Sequence, residues 1–156
     1  TPGVPFAVIN SPKDPWPKTY LRKDNAQLPP LKDGYFFKGY QLSGKSRMPT
    51  FNYNFGQLKI IDKPTPKGEA DSSEASLIRT ITITGEGKDN LYFRAAIGES
   101  IELVEENTFL INDFAAMNLK SDGKPILRDL GGNKELLVPI KFINKSATIT
   151  QTISWQ

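Results

Sequence analysis

Neither histidine nor cysteine occurs in the 156 residues of this chain, and the two absences exclude more chemistry than the motifs present supply. Without imidazole or thiolate there is no Ser-His-Asp or Cys-His nucleophile, no covalently attached c-type haem and no ordinary zinc, copper or iron–sulfur centre. Carboxylate chemistry, Lys/Arg/Tyr chemistry, oxygen-ligated calcium or magnesium, and binding without catalysis remain. No apolar run approaches the ~20 residues that cross a bilayer as a helix, and neither end shows the apolar core of a signal peptide. Membrane insertion is not expected. A chain opening on Thr1 reads as a mature product or an excised segment, and the lack of cysteine bears on export neither way.

Length and charge set the class. A chain of 156 residues fits one domain that buries roughly two-thirds of its unfolded surface without disulfide or metal staples. The net charge of +3 is unevenly placed: residues 1–47 hold eight Lys/Arg against three Asp, whereas residues 62–113 hold five Lys/Arg against eleven Asp/Glu. No basic helix face, RNP-like aromatic run or helix-turn-helix pattern accompanies the basic part, so no nucleic-acid partner is expected.

Seven of the twelve prolines fall in the first 33 residues. Proline fixes φ and removes a backbone donor, so residues 1–34 read as an extended arm packed on the domain rather than as part of its core. Val4, Phe6, Val8 and Ile9 are placed to add one edge strand, with Trp16 and Tyr20 as anchors. From Tyr35 onward, short β-runs alternate with turn residues. Phe51, Tyr53 and Phe55 alternate with Thr50, Asn52 and Asn54, and Leu91, Phe93, Ala95 and Ile97 share a face, as do Leu136, Val138, Ile140 and Phe142. Strands are expected at 35–43, 49–55, 57–62, 76–84, 91–97, 101–105, 108–112, 115–119, 134–143 and 147–155, with turns at sites such as Gly85-Glu86-Gly87, Asp122-Gly123 and Asn144-Lys145. Lys63 to Ala75, with no large apolar residue, reads as a mobile loop. The fold class is all-β: an antiparallel β-sandwich of about ten short strands over 35–156, entered by the Pro-rich arm.

Four runs carry a resemblance: Phe36-Phe37-Lys38-Gly39-Tyr40-Gln41-Leu42, Pro49-Thr50-Phe51-Asn52-Tyr53, Leu91-Tyr92-Phe93-Arg94-Ala95-Ala96-Ile97-Gly98 and Glu135-Leu136-Leu137-Val138-Pro139-Ile140. Over residues 35–155 the chain resembles the β-sandwich accessory module of large exported bacterial proteins that combine a sugar-dehydrogenase-like β-propeller with a c-type cytochrome domain. That resemblance implies a periplasmic or secreted location, a parent protein concerned with carbohydrate oxidation or electron transfer, and other domains of that parent as partners. It assigns no catalysis here, because the haem-attachment Cys and His of such parents are missing, and no cofactor is expected.

Three groups of residues are candidate sites. Sugars stack C–H-rich faces on aromatic rings and exchange hydrogen bonds with polar side chains, so a carbohydrate site needs both kinds of group to converge. If Phe36, Tyr40 and Leu42 point inward, then Tyr35 and Phe37 point outward, and Tyr92 with Arg94 occupies the outward face of its own strand; these four are the candidate carbohydrate-binding residues. The alternative is that the arm or a second sheet covers them. Glu99, Glu102, Glu105 and Glu106 are the densest carboxylates, the raw material of glycosidase chemistry, but they alternate with Ile101 and Leu103 as a solvated edge does. Asp89-Asn90, Asp122-Gly123 and Asp129 with Asn133 offer oxygens for calcium without EF-hand spacing, and turn formation accounts for them. Gln151 falls on an apolar face and requires a hydrogen-bond partner, with a bulge or crossing backbone expected to supply it. The composite expectation is a non-catalytic interdomain docking module, with an autonomous carbohydrate-binding module and a carboxylate-based glycoside-active enzyme as alternatives.

Overall fold

Period-2 alternation of β-branched and aromatic residues makes strands wherever one face is buried, and this chain is built almost wholly that way. The computed structural model describes residues 4–17, 34–45, 47–69, 72–129 and 131–155. Among them are twelve strands and no helix: β1 (Phe6–Val8), β2 (Tyr35–Ser43), β3 (Met48–Phe55), β4 (Leu58–Lys67), β5 (Ser76–Thr84), β6 (Leu91–Gly98), β7 (Ile101–Glu105), β8 (Thr108–Ile111), β9 (Ala115–Lys120), β10 (Ile126–Asp129), β11 (Lys134–Pro139) and β12 (Ser146–Trp155). They form a four-stranded sheet, β1-β6-β11-β10, and an eight-stranded sheet, β2-β3-β4-β5-β12-β9-β8-β7. Every pairing is antiparallel, so the expected β-sandwich is the fold.

The core lies between the sheets. Leu58, Ile60, Ile81, Ile83 and Ile149 of the large sheet meet Phe6, Leu91, Phe93, Leu136 and Val138 of the small one, all essentially inaccessible to water. Burying each such side chain contributes about 1.5–3 kcal/mol. The Asn144-Lys145 turn sits between Ile143 and Ser146, which bond to each other in both directions, and both turn residues have positive φ. That is the type I′ geometry whose twist matches the flanking strands.

Two strands add to the ten: β1, the edge strand expected from Val4 to Ile9, and β10, whose four residues are too few to show a period. Phe6 belongs to the main core, so the arm contributes a core residue, contrary to its reading as a covering element alone. Trp16 is buried as anticipated; Tyr20 lies outside the described residues. The loop expected from Lys63 begins later, because β4 runs on to Lys67 and pairs with β5 through Lys67↔Ser76. β3 leaves β4 at Phe51↔Asp62, so Pro64 and Pro66 sit where β4 has a single neighbour and a missing donor costs little. At the other end, β11 stops at Pro139 rather than at residue 143.

Two bulges control which side chains face where. In β2 the pairing steps from Phe37↔Tyr53 to Gly39↔Asn52, leaving Lys38 as the extra residue and Gly39 at φ 120°, a conformation that glycine alone adopts without strain. In β6 the pairing steps from Leu137↔Arg94 to Leu136↔Ala96, so Ala95 is the extra residue, and Ile97, expected on the face of Leu91 and Phe93, falls instead opposite Glu135 on the other face and is exposed.

Candidate functional site

The bulge at Lys38 gathers six aromatic rings on one face. Phe51, Tyr53 and Phe55 share the core-side face of β3 by ordinary alternation. Tyr35 and Phe37 join them before the bulge, and Tyr40 joins them after it, because one extra residue reverses the parity of everything that follows. Tyr35 stacks on Tyr53 at 4.8 Å with an interplanar angle of 15°, Phe37 meets Tyr53 at 5.4 Å, and Tyr40 lies opposite Phe51 at 6.3 Å. Tyr35 also contacts Phe6 at 5.9 Å, which marks the limit of the cover given by the small sheet. Beyond that contact the rings are open: Phe37 is 57% and Tyr40 60% exposed. The expected division of β2, with Tyr40 and Leu42 inward and Tyr35 and Phe37 outward, is therefore corrected. All four share one face, and Phe36, opposite Asn54, takes the other.

A charged pair lies in the floor beside the rings. Asp62 is 5% exposed and follows Leu58 and Ile60 on the core-side face of β4. Arg79 of β5 donates to it through Nε (2.9 and 2.8 Å) and Nη2 (2.5 Å), while its Nη1 donates to Gln151 Oε1 at 3.2 Å. Gln151 in turn donates through Nε2 to the carbonyl of Ala95, the bulge residue of β6, at 3.2 Å. The partner required for this buried amide is thus a bulge carbonyl. The guanidinium lies 5.9 Å from the Phe93 ring centroid. Burial, then the neighbouring Tyr53 and Asp62, push the Tyr35 phenol above its ordinary range, with Arg79 opposing; burial and Asp62 do the same to Tyr53. Both phenols stay protonated at neutral pH and face the site as hydrogen-bond donors and acceptors.

Tyr92 and Arg94 lie elsewhere, on the outer face of the small sheet beneath the arm. Tyr92 is 8% exposed and packs with Ala7, Ile9, Trp16 and Leu137. Arg94 Nη1 donates to Glu135 Oε1 at 2.8 Å, and its guanidinium lies 4.8 Å from the Trp16 ring centroid. The other oxygen of Glu135 accepts from Arg128 Nε at 2.8 Å, with Arg128 Nη2 at 2.6 Å but off the hydrogen-bonding axis. Arg128 Nη1 reaches the arm, donating to the carbonyls of Pro12 at 2.7 Å and Asp14 at 2.5 Å, and Trp16 Nε1 donates to the Val4 carbonyl at 3.0 Å. The four candidate carbohydrate-binding residues therefore do not form one platform: Tyr35 and Phe37 belong to the open face, whereas Tyr92 and Arg94 hold the arm.

Glu99, Glu102, Glu105 and Glu106 are all exposed along β7 and its flanking turns, the arrangement of a solvated edge. Among the described residues no group of three or more Asp and Glu is placed to hold a metal ion. The Asp62–Arg79 pair escaped the sequence reading, although a signal exists: Asp62 follows Leu58 and Ile60 in step, and Arg79 precedes Ile81 and Ile83. Comparison with protein-family models, with curated proteins and with solved structures returned no match.

Proposed function

We propose that this chain is a non-catalytic accessory module that docks another domain of an exported protein through the open aromatic face of β2 and β3. The observation that carries the reading is the pair of rings of Phe37 and Tyr40, left uncovered beside half-buried Tyr35 and Tyr53 and the Asp62–Arg79 pair. Exposed rings on a rigid floor are what a domain interface requires: large apolar area with little side-chain entropy left to lose. The parent's link to carbohydrate oxidation or electron transfer, and its periplasmic or secreted location, enter this proposal through the sequence resemblance. Hydrogen exchange of β2 and β3 tests it. Slower exchange in the longer polypeptide than in the isolated chain, reversed by Phe37→Ser with Tyr40→Ser, is the expected result; equal exchange in both overturns it.

A second reading rests on the same face. Rings and the Tyr35 and Tyr53 hydroxyls converge there, which is the combination a sugar needs. A glycan array with follow-up titration decides between the two: a soluble glycan that binds at about 1 mM, equivalent to about 4 kcal/mol, and is lost with Tyr40→Ala, favours carbohydrate.

A further inference from the structure

The eight-stranded sheet ends in two edges of opposite character. Between Gly34 and Ile61 the sequence holds Lys38, Lys45, Arg47 and Lys59 and no acid, and this stretch builds β2, β3 and the start of β4 at one edge. Between Ala95 and Leu119 it holds Glu99, Glu102, Glu105, Glu106 and Asp113 and neither Lys nor Arg, and this stretch builds β7, β8 and most of β9 at the other. All nine charged side chains are exposed. Among the described residues none of them is in an ion pair. Each edge also presents apolar surface: Phe36, Phe37, Tyr40 and Leu42 on β2, Leu103 and Val104 on β7.

We propose that these two edges recognise each other between copies of this chain, the cationic β2 edge of one copy against the anionic β7 edge of the next. The proposal deepens the docking reading of β2–β3 and rests on it. The β2 edge calls for a partner that is anionic, apolar and extended, and the β7 edge has all three properties. Like edges repel and unlike edges attract, so charge selects head-to-tail contact over head-to-head. Because the two patches differ, the contact is heterologous and propagates unless the rotation between copies closes a ring. Bulges at Lys38 and Val104 interrupt the free backbone row of each edge. A long continuous ladder between copies is thereby prevented, and side chains make the contact.

Sedimentation of the full chain over a dilution series tests this at ionic strengths of about 0.01 M and about 1 M, where the screening length falls from about 30 Å to about 3 Å. Self-association is expected at low salt, at least tenfold weaker at high salt. Lys38→Gln with Lys45→Gln and Arg47→Gln should abolish it, as should Glu99→Gln with Glu102→Gln, Glu105→Gln and Glu106→Gln, each variant retaining its melting temperature. An equimolar mixture of the two variants should give a capped dimer, because each supplies one intact edge. A wild-type chain that stays monomeric at low salt and ~1 mM, a level at which even ~4 kcal/mol contacts are populated, overturns the inference while leaving docking of another domain standing. Association that survives both variant sets but is lost with Phe37→Ser and Tyr40→Ser overturns the charge pairing and supports the aromatic face alone.

Discussion

Glu135→Gln removes a charge that two buried arginines share. The side chains of Arg94, Glu135 and Arg128 are 9%, 7% and 7% exposed, so solvent screens them little. Glutamine keeps the shape, but its single carbonyl accepts from one guanidinium while its NH₂ turns donors toward the other. Two unneutralised cations are then left under the arm. Breaking a buried pair by removing one partner costs about 3–5 kcal/mol, a large share of the 5–15 kcal/mol that holds a domain of this size together. Replacing all three, as Arg94→Met, Glu135→Leu and Arg128→Met, removes the desolvation penalty along with the attraction. The main loss left is the pair of bonds from Arg128 to the Pro12 and Asp14 carbonyls; both residues are half-buried, so water can replace the guanidinium and each lost bond costs about 1 kcal/mol net, partly offset by new apolar burial. The triple variant should therefore be more stable than the single one. Urea unfolding followed by circular dichroism, with the slope checked for constancy, measures both. Should the charge instead be relieved by lifting the arm, Trp16 fluorescence would shift red in Glu135→Gln before global unfolding. A single variant within 1 kcal/mol of wild type with an unshifted Trp16, or a triple variant less stable than the single, would refute the argument.

Tyr92→Ala empties a packed site beneath Trp16 and should cost about 3–5 kcal/mol in the same assay, whereas an unchanged midpoint would mean that the ring is not packed as described. Gly123→Ala places a Cβ 1.8 Å from the Pro139 carbonyl oxygen, a backbone clash that no rotamer relieves; the variant should lose several kcal/mol or fail to fold, and normal expression with a wild-type melting temperature would contradict it. The raised pKa values of Tyr35 and Tyr53 make stability depend on alkaline pH. Their contribution is complete below the ordinary tyrosine value of 10.0 and declines as pH rises through that value toward the higher folded ones. Absorbance titration should accordingly show late ionisation from Tyr35 and Tyr53, and Tyr35→Phe should remove part of it; Tyr35 and Tyr53 ionising at the ordinary tyrosine value would refute it.

Local chemistry accounts for what was legible in the sequence. Alternation over Phe51–Phe55, Leu91–Phe93 and Leu136–Ile140 marks strands with one buried face, because side-chain direction follows from the backbone pleat alone. The Asn144-Lys145 turn is equally local, since positive φ at two consecutive positions suits few residues, asparagine among them. The demand of Gln151 for a partner follows from the cost of burying an amide. All-β class, antiparallel pairing and most strand limits come from these terms.

Long-range packing decided the rest. Strict alternation cannot foresee the extra residue at Lys38, so it assigned Tyr40 and Leu42 to the face opposite Tyr35, and the single bulge that reverses this is set by pairing with β3. Nor can alternation tell whether an outward face meets water. Tyr92 and Arg94 point away from the main core as expected, yet the arm covers them, because Arg128 and Trp16 hold Pro12 to Trp16 against a sheet more than 70 residues away in sequence. Parity is a property of neighbouring residues, readable one strand at a time. Cover depends on which distant segment reaches a face, and the eight-stranded sheet is wider than the four-stranded one, so the rings of Phe37 and Tyr40 are left open while those of Tyr92 and Trp16 are closed.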